Sequence, residues 1–253
     1  MERKNFLKTF ALMAAAGPMI IDGCKKDATT KTSSTTGTSS STSTSTSTSS
    51  NSGSCIVTAD EVEGPYPYVG GESTNPLDRS DVTGGQTGVP LSLSFLVVDA
   101  GNSCNVVSNA RVDIWHCNKD GYYSGYANQN SSLGSKSYVG ETWLRGYQLT
   151  DSTGVAKFTT IYPGWYSGRA THIHIEVFVN GVMKKTTQIC FSESINGVVY
   201  ASSLYSTHGI NPITNEADSI LGNSLTDLAN ETVALTGSVS EGYSGSYTIG
   251  IKL

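Results

Sequence analysis

Two histidines one residue apart, His172 and His174, lie in the stretch IYPGWYSGRATHIHIEV, from Ile161 to Val177. They are two of only 4 histidines in the chain. Tyr162 stands ten positions before His172 and Arg169 three before it. His172, Ile173, His174, Ile175 and Glu176 alternate polar and apolar and run into Val177, Phe178 and Val179, a period-two pattern that predicts a strand. On a strand, residues i and i+2 share a face about 6.5–7 Å apart at Cα. Two imidazoles so placed can converge on one ion, each at about 2.0–2.1 Å. Glu176 shares that face, which raises a ferrous site of two His and one carboxylate. Four strand residues span about 13–14 Å, however, so His172 and Glu176 cannot both reach one ion. The missing ligands must come from elsewhere, and the nearby candidates are tyrosines.

Tyr162 precedes Pro163, which favours extended backbone. Gly121-Tyr122-Tyr123 follows another strand-like run. A phenolate is a hard anionic oxygen ligand suited to Fe(III). Two phenolates, two imidazoles and a hydroxide would balance ferric charge and leave an exchangeable position. A zinc or copper centre built on the His pair alone is the alternative, and it would not need the tyrosines.

The body that must position these residues is rich in β-structure and turns. The chain has 253 residues, 27 Gly and 13 Tyr, and few helix-favouring runs. Strands are expected at Leu91–Val98, Ala110–Cys117, Trp143–Leu149, Val155–Thr160, the His-x-His run, Val182–Phe191 and Tyr247–Leu253. Trp143–Leu149 and Val155–Thr160 read as a hairpin across Thr150–Gly154. One short helix is expected near Ser219–Leu228. Val112, Ile114 and His116 share one face of their strand, which predicts a hydrogen-bonded core role for His116. His208, in a Ser-Thr-His-Gly loop, reads as solvated, and Trp115, Trp143 and Trp165 read as packing. The fold class is all-β: a β-sandwich of mixed and antiparallel sheets, with long active-site loops and little helix.

Residues 1–24 read as a signal peptide: Arg3, Lys4 and Lys8 precede an apolar run from Phe10 to Ile21 that is too short to span a bilayer. It ends at Ile21-Asp22-Gly23-Cys24, a lipobox-like end that marks Cys24 for lipidation. Residues 25–54 form a Ser/Thr-rich tether; 21 of the 24 residues from Thr29 to Ser52 are Ser or Thr, which cannot bury a core. Residues 55–253 are expected to form the folded domain that carries the site. The expectation is an exported protein, lipid-anchored to a bacterial membrane. With a formal net charge of -5 and no basic patch, nucleic acid is excluded as a partner. Beyond Cys24, Cys55, Cys104, Cys117 and Cys190 allow three disulfide pairings, and without a C-x-x-C spacing they do not suggest a zinc cluster.

The runs EGPYPY (Glu63 to Tyr68), RSDV (Arg79 to Val82), VDIWHCNKDGYYS (Val112 to Ser124), WLRGYQLTDSTGVAKFTTIYPGWYSGRATHIHIEV (Trp143 to Val177) and TTQICF (Thr186 to Phe191) together resemble the intradiol ring-cleavage dioxygenases, the catechol and protocatechuate dioxygenases. The likeness covers most of Cys55 to Phe191 and is nearest to the exported branch. It implies Fe(III) held by Tyr123, Tyr162, His172 and His174. Arg169 and Gln188 would act in catalysis, together with a Tyr162 phenolate freed to take a substrate proton. Gly64, Pro65 and Tyr66 would line the substrate pocket. It further implies a Cys55–Cys104 disulfide, with Cys117 and Cys190 either paired or left as buried thiols. The implied partners are a catechol-type aromatic and O2, with a cis,cis-muconate as product. A catalytically weak binding module for aromatic or carbohydrate ligands on the same sandwich is the competing reading; oxygen uptake with catechol separates the two. Oligomeric state is left open.

Overall fold

The computed structural model describes residues 55–253. The targeting segment with Cys24 and the Ser/Thr-rich tether lie outside the described residues. Along the chain come strands β1 (Pro90–Asp99), β2 (Asn105–Val106), β3 (Arg111–Trp115), β4 (Gln129–Ser131), β5 (Gly134–Lys136), β6 (Arg145–Leu149), β7 (Val155–Ile161), β8 (His172–Val179) and β9 (Val182–Phe191). Helix α1 (Glu193–Ala201) and helix α2 (Leu225–Glu231) follow, then β10 (Thr232–Val233), β11 (Leu235–Ser238) and β12 (Gly242–Ile251). One sheet runs β11-β12-β1-β2, with β7 also paired to β1; the other runs β10-β9-β8-β3-β6. The β1–β12 and β9–β10 pairs are parallel, the other pairs antiparallel, so both sheets are mixed.

The apolar phase of each strand builds the layer between the sheets. Leu91, Leu93, Phe95 and Val97 of β1 meet Val112 and Ile114 of β3 and Ile173, Ile175 and Val177 of β8 in one buried cluster. Because side chains alternate across a strand, this phase sends His172, His174 and Glu176 to the opposite face of β8. Register then fixes their neighbours: His174 stands opposite Trp115 of β3 and Gln188 of β9, and Glu176 opposite Asp113 and Thr186. Loops cover this outer face, so His172 and His174 are buried although they point away from the sandwich interior.

The expected hairpin between β6 and β7 is not formed. β6 pairs with β3 and β7 pairs with β1, so the intervening turn carries the chain from one sheet to the other. Thr150 anchors that corner: its Oγ1 donates to the Val107 carbonyl and accepts from the Ala110 amide. The Asp151 carboxylate then accepts from the amides of Thr153 and Val155 and turns the chain. Turn chemistry of this kind serves a sheet-crossing connection as well as a hairpin.

Helix α2 begins later than expected, at Leu225, where the Ser224 side chain accepts from the Asp227 amide. The segment before it is a short 3-10 turn, Leu221–Asn223. A Cβ on Gly222 would lie 2.3 Å from the Glu216 carbonyl oxygen, so glycine permits that close approach. Helix α1 gave no helical pattern in the sequence. Gly197 and two valines weaken its propensity, and burial of Asn196, Val199 and Tyr200 holds it in place.

Cys55 and Cys104 are bonded, with Cα atoms 5.7 Å apart and a sequence separation of 49. Cys117 and Cys190 are unpaired and buried. Closing a loop of that length restricts the unfolded chain, so replacing both bridge cysteines with Ser should lower unfolding free energy by about 2–4 kcal/mol, measured by denaturant melts.

Glu231 at the end of α2 is fully buried, and among the described residues neither carboxylate oxygen has a hydrogen-bond partner. Burial, reinforced by Glu61 and Asp227, pushes its carboxyl up to about 8. The folded chain therefore keeps a proton that the unfolded chain releases between the ordinary carboxylate range and pH 8, and this group's contribution weakens stability as pH rises through that window. Glu231→Gln should match the wild type near pH 5 and melt about 3–6 °C higher at pH 9. Parallel melting profiles for the two proteins would contradict this.

Candidate metal centre

The two imidazoles of β8 converge. His172 Nε2 and His174 Nε2 lie 3.1 Å apart, with the rings nearly perpendicular. His172 Nδ1 is 2.7 Å from the Ala170 carbonyl oxygen. That oxygen only accepts, so Nδ1 carries the proton and Nε2 keeps its lone pair for a ligand. The His174 ring stacks on Trp115 at 4.8 Å and 4°. The backbone of Gly64 also lies against this ring, where a Cβ would come within 2.9 Å of Cε1. Gly64 also has φ +75°, so both backbone conformation and space demand glycine there. Burial pushes His172 down to about 3 and His174 well below the usual range, the Arg169 charge adding to both. Both rings are neutral, the form that ligates metal.

Tyr123 brings its phenolic oxygen to 3.5 Å from His172 Nε2. Its loop is held by Gln129, whose side chain accepts from the Tyr123 amide and donates to the Tyr123 carbonyl. The phenol is fully buried, and burial holds it protonated well above its ordinary range. A bound multivalent cation is the local charge that would draw off that proton.

Tyr162 does not join this group. It continues the inward phase of β7 after Phe158 and Thr160, and so enters the core between the sheets. Its hydroxyl donates to Asn196 Oδ1 at 2.7 Å, and its ring packs on Phe191, Tyr200 and Tyr243. The titratable groups that influence it there are phenols and a thiol, with burial the largest influence, and all raise its pKa. The assignment of Tyr162 as ligand and proton acceptor is therefore corrected. Beyond Pro163, Gly164 passes against the backbone of Asn118 and Lys119, where a Cβ would come within 2.5 Å of an oxygen. This passage brings Tyr166 to the outer face instead. The Tyr166 ring meets His172 edge-on at 5.6 Å and Tyr123 at 5.7 Å. The Tyr166 phenol, pushed up to about 12 by burial, is drawn the other way by Arg169, whose Nη1 donates to its oxygen at 3.5 Å. Sequence reasoning missed Tyr166; the inward Phe158-Thr160-Tyr162 alternation was the signal that excluded Tyr162.

Arg169 spans the floor of the site. Its Nε donates to Asp218 Oδ2 at 2.8 Å and its Nη2 to Gln188 Oε1 at 2.6 Å. Gln188 in turn donates to the Val62 carbonyl, tying the Glu61–Gly64 segment across the site. Tyr66 stacks on Tyr123 at 4.7 Å and stands edge-on to Tyr166 and Tyr126, forming an aromatic wall, with Pro65 exposed beside it. Arg145 holds this wall from behind: Nη2 donates to the carbonyls of Tyr66 and Ser124, and Nε to Ser124 Oγ.

The remaining candidates fall outside. Glu176 accepts from Thr186 and is pushed up to about 7 by burial. His116 is a core histidine bonded to the Cys117 carbonyl and Thr160 Oγ1. His208 is buried rather than solvated, held by the Trp165 carbonyl and Ser132 Oγ. Trp143 packs in a separate cluster with Tyr122 and Leu144.

Among the described residues no three His, Cys, Asp or Glu side chains gather as a metal cage, and the oxygen-bearing side chains beside the His pair are the phenols of Tyr123 and Tyr166. The donor set fits a hard, multivalent cation: two neutral imidazoles facing each other, the buried Tyr123 phenol and the half-buried Tyr166 phenol beside them, and no positive charge within the set.

A family model described as Dioxygenase matches residues 62–203. Catechol 1,2-dioxygenase of Acinetobacter baylyi is 28% identical over 150 residues, which are 52% of this chain and 45% of that enzyme, so the chain spans less than half of that relative's length. An intradiol ring-cleavage dioxygenase from Tetranychus urticae superposes with a TM-score of 0.69 at 27% identity, over 78% of this chain and 95% of that one. The dioxygenase domain of a dioxygenase and carbohydrate-binding fusion protein from Streptomyces sp. SirexAA-E shares the fold, with a TM-score of 0.52 at 22% identity over 78% and 99% of the two chains.

Proposed function

The chain belongs to the intradiol ring-cleavage dioxygenases, and from that premise we propose that it cleaves a catechol-type ring between its two hydroxylated carbons, adding both atoms of O2 to give a cis,cis-muconate. The observation that carries this reading is the buried convergence on His172 Nε2 of His174 Nε2 at 3.1 Å and Tyr123 Oη at 3.5 Å, with the Tyr166 ring against His172. Tyr123, Tyr166, His172 and His174 would hold Fe(III). Held there, Fe(III) supplies the activation that opens a catechol's ring carbons to O2.

The side chains supply the rest. Tyr166 Oη is the proton acceptor for a substrate hydroxyl, and the neighbouring Arg169 guanidinium favours its phenolate form between turnovers. Arg169 also meets negative charge developing on the substrate, an electrostatic role that its bonds to Asp218 and Gln188 pre-organise. Tyr66 provides an apolar face for the ring, and Gly64 lets the covering segment approach His174 without a clash. Trp115, stacked on His174, fixes the plane of that ring.

Two measurements on the iron-reconstituted protein test the reading. A tyrosinate-to-ferric charge-transfer band that shifts on anaerobic addition of catechol, together with oxygen uptake on aeration, supports it. A protein that stays colourless after ferric reconstitution, or that retains stoichiometric zinc or copper instead, overturns it. We further propose that the enzyme works outside the cytoplasm, anchored through Cys24; the Cys55–Cys104 bridge suits an oxidising compartment. Labelling with radioactive palmitate and its loss in Cys24→Ala would test the anchor.

A further inference from the structure

The charges around the site are unevenly committed. Two guanidiniums stand near the aromatic wall. Arg169 is engaged by Asp218, Gln188 and Tyr166. Arg145 is 2% exposed, bonded to the backbone of Tyr66 and Ser124, and lies 3.6 Å from Glu72. Lys185, three residues before Gln188 on β9, is drawn away by Asp60 and the Thr58 carbonyl. The segment that covers the site brings acid instead. Its path is set at three points: the Glu61 amide donates to the Thr186 carbonyl, the Val62 carbonyl accepts from Gln188, and Gly64 lies on His174. Glu63, half-buried, is the residue immediately before Gly64. Its charge is felt by Tyr126, which stands edge-on to Tyr66, and by Glu176, two residues after His174 on β8. Glu61 accepts from Asn223 and is coupled to Arg169 and Asp218. Once Asp218 has matched Arg169, Glu61 and Glu63 remain unmatched at the covering segment.

We infer that this segment makes the site selective for catechols whose ring carries no negative charge, with Glu63 the specificity-determining residue. The inference rests on the dioxygenase reading above. A ring carboxylate is normally recognised by a free Arg or Lys through charge-assisted bonds. Here it finds both guanidiniums committed and two carboxylates carried on the segment that crosses the site. Like charges separated by several ångströms at a partly solvated surface weaken binding by about tenfold, and salt erodes that penalty. Neutral catechols escape it, and a cationic substituent would gain from the same field.

The test compares protocatechuate with its methyl ester on the iron-loaded full-length protein. The two carry their substituent at the same ring position; the ester also withdraws electrons more strongly, so the charge effect is read from how the preference responds to salt and to Glu63→Lys. The ester should be preferred by about tenfold in kcat/KM at low ionic strength, and by a similar factor in affinity read by anaerobic spectral titration. The preference should shrink as NaCl is raised in the wild type. It should shrink at least about threefold in Glu63→Lys, read as a ratio within that variant. Equal use of acid and ester, or a preference that neither salt nor Glu63→Lys moves, would overturn the inference while leaving the dioxygenase reading intact. Failure of catechol, ester and acid alike to support oxygen uptake would overturn the dioxygenase reading and this inference with it.

Discussion

Tyr166→Phe is expected to weaken and shift the visible band of the ferric protein and to lower kcat/KM about a hundredfold or more, the range for losing a positioned proton acceptor. Tyr162→Phe is expected to leave the band in place and to cost stability instead. The contrast follows from where the two hydroxyls sit. Tyr166 lies against His172 and Tyr123, with Arg169 as its hydrogen-bond donor. Tyr162 donates to Asn196 inside the sandwich. Losing that bond leaves the Asn196 oxygen without its donor in a buried site, a cost of about 1–3 kcal/mol. Denaturant melts of Tyr162→Phe should register it, while Tyr166→Phe should melt close to the wild type. The opposite pairing, a bleached Tyr162→Phe and a coloured, active Tyr166→Phe, would restore Tyr162 as the ligand and contradict the geometry described here.

That contrast also shows where the sequence was legible and where it was not. Period-two alternation located β1, β3, β8 and β9 and placed His172 and His174 on one face, because a sandwich strand must keep one phase apolar. The same rule, carried one step further along β7, would have sent Tyr162 inward. Its position ten residues before His172 suggested a ligand, but spacing along the chain does not set the direction of a side chain across a Pro-Gly turn. Gly164 decides that direction by allowing the backbone to pass against Asn118, a contact about forty-five residues away in the chain. The partners of β6 and β7 were illegible for a similar reason. Asp151 builds the same turn whether the strands pair with each other or with different sheets, and the choice lies in long-range pairing with β3 and β1. Helix α1 escaped detection because its stability comes from three buried side chains rather than from local propensity. Arg145 escaped it as well: a lone arginine in a strand pattern reads as a surface residue, and only the fold reveals it as 2% exposed.

Arg145 carries the largest stability effect expected in the molecule. Its guanidinium makes three hydrogen bonds to the Tyr66 and Ser124 segments and lies 3.6 Å from Glu72, itself 1% exposed. Its ring neighbours are Tyr123 and Tyr126, at 5.8 and 5.7 Å. Arg145→Met keeps much of the packing and removes the charge and the donors. Glu72 then loses its nearest cation, and two backbone carbonyls lose their donor. Breaking a buried pair on one side typically costs about 3–5 kcal/mol. The cost should depend on pH in a definite sense. Burial pushes Glu72 up to about 8 even with Arg145 present, and Arg145 is the chief influence pulling it down. A folded value above the unfolded one means that the folded chain holds a proton the unfolded chain gives up, so stability falls as pH rises through that window. Removing Arg145 raises the folded value further and extends the fall upward in pH. The gap between Arg145→Met and the wild type should therefore be smaller at pH 6 than at pH 9, read from denaturant midpoints at the two pH values. Adding Glu72→Gln removes the uncompensated carboxylate and should recover about 1–2 kcal/mol at pH 9, without restoring the bonds to Tyr66 and Ser124. The double variant should accordingly fold more stably than Arg145→Met and yet remain poor in oxygen uptake, because the wall formed by Tyr66 and Tyr123 has lost its support. A pH-independent gap, or full recovery of uptake in the double variant, would show that Arg145 serves only to neutralise Glu72.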